Sequence, residues 1–98
     1  MKTYRQGETA VIRETCRDSD GDYATPSTAT MTVEDSTGET VVDAQTMTNT
    51  GSVTGKYHYN YTISATAKTG TYKYEAIFTD ASSLVAKECG EFEVEEKL

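Results

Sequence analysis

Tryptophan is absent from this chain of 98 residues, proline and histidine occur once each, and cysteine occurs twice. These shortages exclude several chemistries. A structural zinc site needs about four close ligands, usually with paired spacing. Cys16 and Cys89 lie far apart, neither is in a CxxC, and His58 is distant from both. With one histidine, no G-x-S-x-G turn and no glycine-rich phosphate loop, the elements of nucleophilic or nucleotide chemistry are missing. No apolar run approaches the ~18 residues of a membrane span. The first residues, Met1-Lys2-Thr3-Tyr4-Arg5, lead into no apolar stretch, so a secretory leader is not expected. A chain made in the cytoplasm would keep both thiols free. Positive charge is scarce too: 9 Lys and Arg stand against 16 Asp and Glu, a net of −7. That balance works against nucleic acids and anionic membranes as partners.

What remains is strand-forming. The chain is 36% apolar, rich in threonine, and has seven tyrosines against two phenylalanines. β-Branched and aromatic residues suit a pleated, half-buried surface. In residues 9–17, Ala10, Ile12 and Cys16 share one face with Glu14, while Val11, Arg13, Thr15 and Arg17 share the other. In residues 28–34, Ala29, Met31 and Val33 alternate with Thr28, Thr30 and Thr32. Period two predicts one buried and one wet face. A short strand is predicted at 41–44, at a sheet edge, and 45–55 reads as a polar loop with Met47 turned inward. Residues 56–63 put Tyr57, Tyr59, Tyr61 and Ile63 on one side; residues 64–69 connect, with room for one helical turn. Residues 70–80 form the longest run, with Tyr72, Tyr74, Ala76 and Phe78 in phase, and a turn is predicted at 80–83. Residues 84–94 close the domain with Phe92 and Val94, and Gly90 marks a predicted bulge. No stretch of eleven residues carries a helical stripe. One all-β domain over residues 1–98 is expected, an immunoglobulin-like Greek-key sandwich of about seven antiparallel strands.

In such sandwiches a tyrosine near the start of the sixth strand bonds back to upstream backbone, and in antibody-type domains a cysteine follows two residues later. Gly70-Thr71-Tyr72 fits that corner, and Tyr74 stands at the cysteine position. Tyr72 is then a corner tyrosine and Tyr74 a core residue in place of a disulfide, with Cys16 unpaired; two ordinary strand tyrosines are the alternative. Cys16 faces inward by phase and Cys89 outward, which works against a bridge between them.

The chain resembles immunoglobulin-like domains of the macroglobulin MG2 type along nearly its whole length. Tyr4-Arg5-Gln6-Gly7-Glu8-Thr9, the alternating run and Asp18-Ser19-Asp20-Gly21 resemble that family's opening. Thr54-Gly55-Lys56-Tyr57-His58-Tyr59, Thr69-Gly70-Thr71-Tyr72-Lys73-Tyr74 and Gly90-Glu91-Phe92-Glu93-Val94 fit its close. Two positions depart: Gln6 stands where proline is common, and Glu14 where a small or apolar residue is usual. The chain is also similar to small single-domain structural proteins of tailed phages and related viruses. These resemblances imply the sandwich fold and a role in assembly.

Some residues invite other readings. Asp18, Asp20 and Asp22 alternate in one turn, with Glu34 and Asp43 as further carboxylates, and calcium takes six to eight oxygens. An EF-hand loop counted from Asp18 would need glycine at 23 and glutamate at 29, where the chain has Tyr23 and Ala29. The loop is either a looser calcium site or a solvated turn. His58, opposite the tyrosine face, reads as a surface strand residue. Glu91, Glu93, Glu95 and Glu96 read as a wet, like-charged sheet edge that discourages aggregation. The tyrosine row is either interior, with Tyr59 and Phe78 among its members, or a stacking platform for a sugar or peptide; its phase with Ile63, Ala76 and Phe78 favours the interior.

Tyr4 and Tyr23 fall outside that pattern and, with Thr28, Thr30 and Thr32, are the predicted contact surface. The functional expectation is a non-enzymatic structural or docking module without cofactor. It would be a virion component, capsid-associated, neck or tail, that meets other structural proteins or copies of itself. The rivals are an extracellular adhesion or carbohydrate-binding module and a small hydrolase using His58.

Overall fold

A computed structural model describes residues 1–80 and 83–97. Their strands are β1 (Lys2–Arg5), β2 (Thr9–Thr15), β3 (Thr28–Glu34), β4 (Thr40–Thr46), β5 (Thr48–Asn49), β6 (Lys56–Thr62), β7 (Gly70–Asp80) and β8 (Ser83–Glu95). Two sheets form, one of five strands in the order β1-β8-β7-β3-β4 and one of three in the order β2-β6-β5. No α-helix occurs among the described residues; a 3-10 turn spans Thr50–Ser52. The turn predicted at 80–83 includes positions outside the described residues.

The alternation becomes burial. Met31, Val33, Ala76, Phe78 and Tyr72 of the large sheet are at most 1% exposed. Ala10 and Ile12 of β2, together with Ile63, Phe92 and Val94, complete the same interior. Aromatic rings join the sheets. Tyr57 meets Phe78 with ring centroids 5.6 Å apart, and Tyr61 lies 6.5 Å from both Tyr72 and Phe92. Such spacings suit offset or edge contacts, each worth about 0.5–1.5 kcal/mol beyond burial. Tyr57, Tyr59 and Tyr61 are half-buried around this core rather than enclosed by it.

Several expectations need correction. The described residues form eight strands, against the about seven expected, and β1 pairs with β8 in parallel, Lys2 opposite Phe92 and Arg5 opposite Glu95. The single apolar side chain of Lys2–Arg5, Tyr4, gave no visible alternation. Its ring meets Phe92 edge-on at 5.7 Å and is half-buried, with part of the side chain left at the surface. The strand predicted at 41–44 runs over Thr40–Thr46. The predicted loop 45–55 contains the end of β4, all of β5 and the 3-10 turn. Met47 is the hinge: it is 4% exposed, and the chain crosses there from the large sheet to the small one. Residues 64–69, given room for one helical turn, hold one hydrogen-bonded turn, Ala67 N–H to Ser64 C=O.

Gly90 marks no bulge. The β7–β8 register is regular from Gly70 opposite Val94 to Phe78 opposite Ala86, and its irregularity lies between Phe78 and Thr79. Of the glutamate row, Glu93 and Glu95 are not at a sheet edge, because β1 pairs with β8 from Phe92 to Glu95.

Candidate functional site

Tyr72 and Tyr74 leave β7 on the same side but do different work. The Tyr72 hydroxyl donates to the Lys68 carbonyl at 2.7 Å, four residues upstream. The Lys68 ammonium reaches Asp35 at 3.8 Å and Glu39 at 3.3 Å. Asp35 is 6% exposed. Its Oδ1 accepts the Thr37 and Glu39 amides and the Thr37 hydroxyl. Hydrogen bonds that favour the charged form pull an acid's pKa down; those from Thr37, then from Glu39, with Lys68 nearby, hold the Asp35 carboxyl below its usual range against the cost of burial. Corner, turn and connection are thereby tied at one end of the sandwich.

Tyr74 ties the sheets instead. Its hydroxyl donates to Glu14 Oε2 at 2.5 Å, crossing from β7 to β2. This explains the carboxylate on the apolar face of β2: its hydrogen-bond donor comes from a residue 60 positions away. Burial first, then the bond to Glu14, pushes the Tyr74 hydroxyl well above the ordinary tyrosine range. Opposite Tyr74 stands Gly90. A Cβ there would lie 2.3 Å from the Tyr74 hydroxyl oxygen and 2.4 Å from its Cζ. The glycine is required by the ring laid across it, and no bulge is involved.

The departure at Gln6 has a comparable basis. Its side-chain amide donates to the Ala67 carbonyl at 2.5 Å and accepts the Lys97 N–H at 3.2 Å, contacts that proline cannot make.

Asp18, Asp20 and Asp22 converge, with carboxylate oxygens within 4.8 Å of one another, and all three are exposed. Asp18 Oδ1 accepts the amides of Asp20 and Asp22, which is the bonding of a closed turn. Glu34 and Asp43 are not members of this group, since they lie on β3 and β4 of the large sheet. The turn is held from outside by Arg17, whose Nη1 donates to the Gly21 carbonyl at 3.0 Å and whose guanidinium sits 4.4 Å from the Tyr23 ring. Tyr23 is 46% exposed, and Lys56 approaches its ring as well.

The threonines of β3 line the outer face of the large sheet. Thr28 shares a hydroxyl contact with Thr79, and Thr32 Oγ1 accepts the Ala44 amide at 3.2 Å. Thr30 is half-buried between Ile77 and Thr46. A shallow depression of about 530 Å³ lies on this outer face, lined in part by Thr32, Glu34, Lys73, Glu75, Cys89 and Glu91.

The reactive side chains do not meet. Cys89 is exposed on the large sheet, its thiol 3.9 Å from Glu75 Oε2. His58 lies on the small sheet, half-buried rather than fully exposed, with Nδ1 2.8 Å from the Thr50 hydroxyl. Cys16 is fully buried and free, and burial raises its thiol's pKa. A cysteine–histidine pair needs direct hydrogen-bond reach; Cys89 and His58 lie on different sheets, and Cys16 is enclosed in the core while His58 bonds Thr50.

A second hollow, about 340 Å³, opens where the edges of the two sheets come together. Ile12, Tyr74 and Phe92 line it, with Lys2, Arg13 and Glu91 at the rim. Tyr4, marked in the sequence as a contact residue, lines this hollow too, but the hollow itself was not visible there, because it arises where β1 and β2 come to lie on different sheets.

With this geometry in hand, the relatives become informative. The family model of the MG2 domain matches residues 2–94. The chain belongs to the MG2 domain family. Among solved structures, the crystal structure of the Lin-41 filamin domain is similar to this MG2 domain, with a TM-score of 0.65 and 20% identity. The alignment covers 98% of this chain and 85% of that one. At that identity the likeness establishes a shared fold, an immunoglobulin-like β-sandwich. Comparison with curated proteins finds no match.

Proposed function

We propose that this MG2 domain is a non-enzymatic docking module that works as one part of a larger assembly. The observation that carries the reading is the dispersal of its reactive groups. His58 and Cys89 lie on different sheets, each with a local partner, while strand edges and a charged hollow remain at the surface. A sandwich offers those edges and its end loops for binding.

The setting proposed is a virion, with the domain as a capsid-associated, neck or tail component. It rests on the resemblance to small single-domain structural proteins of tailed phages. Its partners would be other structural proteins, further copies of the domain included. No cofactor is needed for such a role. The net charge of −7 supports protein rather than nucleic acid or an anionic membrane as the surface it meets. Against a glycan-binding role, Tyr57, Tyr59 and Tyr61 pack on the core, so the tyrosine row offers no open stacking face.

Quantitative mass spectrometry of purified particles tests this reading. A fixed stoichiometry to the other structural proteins supports it. Absence from particles together with saturable glycan binding would replace it with the adhesion reading, and a measurable activity lost in His58→Ala would replace it with the hydrolase.

A further inference from the structure

The small sheet ends in an unpaired edge. Among the described residues, β2 pairs with β6 on one side and has no strand on the other. In antiparallel pairs, successive residues point their peptide groups alternately toward and away from the partner. The Ile63 amide donates to Glu8 C=O, and the Cys16 amide to Gly55 C=O. With the register of Ala10 opposite Tyr61 and Ile12 opposite Tyr59, the even-numbered residues of β2 face β6. Thr9, Val11, Arg13 and Thr15 therefore aim their N–H and C=O groups outward.

This edge is also the basic part of an acidic molecule. The first 17 residues hold Lys2, Arg5, Arg13, Arg17, Glu8 and Glu14, and with them every arginine of the chain. Arg13 is exposed and forms no ion pair among the described residues. The hollow beside the edge has an apolar floor of Ile12, Phe92 and the Tyr74 ring, and Lys2 and Arg13 outnumber Glu91 at its rim.

We infer that β2 accepts an extended acidic segment of a partner protein as a fourth strand of the small sheet. This deepens the docking reading and rests on it. Main-chain bonds to Val11 and Arg13 would supply the attachment, and side-chain alternation the selectivity. Residues of the incoming strand that face inward, beside Ile12, would be apolar and enter the hollow. Those that face outward, beside Arg13, would be acidic, since opposite charges on facing strands attract. Two copies of the domain joined through β2 would instead bring two basic edges together.

The probe is a capped heptapeptide alternating glutamate with valine, titrated into the intact domain and followed by amide NMR. Its counterpart alternates lysine with valine. The expected result is saturable binding of the glutamate peptide, with shifts concentrated in Thr9–Thr15 and β1, and no saturation by the lysine peptide. Val11→Pro removes an outward N–H, a substitution edge strands tolerate, and should abolish binding while the folded spectrum persists. Arg13→Glu should weaken binding about 5-fold or more, and it carries the test if Val11→Pro fails to fold.

Equal binding of the lysine peptide, shifts centred elsewhere, unchanged binding by either variant, or no binding of the glutamate peptide would overturn the inference. The two readings fail separately. A domain found in particles but inert to the peptide loses the edge inference alone. A domain that binds the peptide through β2 but is absent from particles loses the virion setting alone.

Discussion

The two sheets of this domain manage their backbones differently. In the large sheet, β7 and β8 run side by side over eleven register positions, with β3 and β1 on their far flanks. β7 is flanked by β3 from Lys73 to Thr79, and β8 by β1 from Phe92 to Glu95, so over these spans their polar groups are paired on both sides. In the small sheet, β6 alone has two neighbours, and β5 contributes two residues. Among the described residues, no strand pairs with the other side of β2. Stability accordingly concentrates where strands are doubly paired and packed, and binding capacity where a strand is packed but singly paired. β2 is anchored by Ala10 and Ile12 in the core and by Glu14 to Tyr74, so its edge is both free and rigid. A rigid edge loses little entropy when a strand is added.

That contrast can be broken or sharpened by substitution. The largest effect belongs to the interior: Phe78→Ala, at a fully buried position of β7, should cost about 3–5 kcal/mol in urea unfolding. Next comes the tie between sheets. Tyr74→Phe strands the Glu14 carboxylate without its donor and should cost about 1.5–3 kcal/mol. Gly90→Ala should displace the same ring, so the double variant should be less destabilised than the sum of the two single changes.

The tie also has a pH signature. A folded-state pKa above the unfolded value means that the contribution is complete below about pH 10, the unfolded tyrosine value, and fades as pH rises toward the higher folded one. The alkaline loss of stability should therefore be shallower in Tyr74→Phe than in the unaltered domain, by chemical denaturation at a series of pH values. The smallest interior effect is Tyr72→Phe, about 1 kcal/mol for one hydrogen bond to the Lys68 carbonyl, with the fold retained by circular dichroism.

What the sequence revealed follows the same division. Segments whose inward positions are apolar at every second residue, Thr28–Glu34 and Gly70–Asp80, were legible because a buried face imposes period two, even with Ile77 on the outer face. The corner at Tyr72 was legible because its acceptor lies four residues away. β1 and β5 were not legible: Lys2–Arg5 has one apolar side chain, and Thr48–Asn49 is two polar residues long. Gly90 was misread for a clear reason. Glycine in a strand signals either a bulge or a close approach, and the cross-strand neighbour that decides between them is set by register. Glu14 looked out of place because its partner is distant in sequence. The open edge left no mark in the sequence, since an alternating strand reads alike with one neighbour or two.

Residue-resolved amide hydrogen exchange on the free domain measures this contrast directly. Ala10, Ile12 and Glu14 should be protected through their bonds to β6, while Val11, Arg13 and Thr15 exchange close to the rate of unprotected peptide. The doubly paired amides of β7 should be the slowest. Even protection along all of β2 would contradict the account, because it would mean that the edge is already covered.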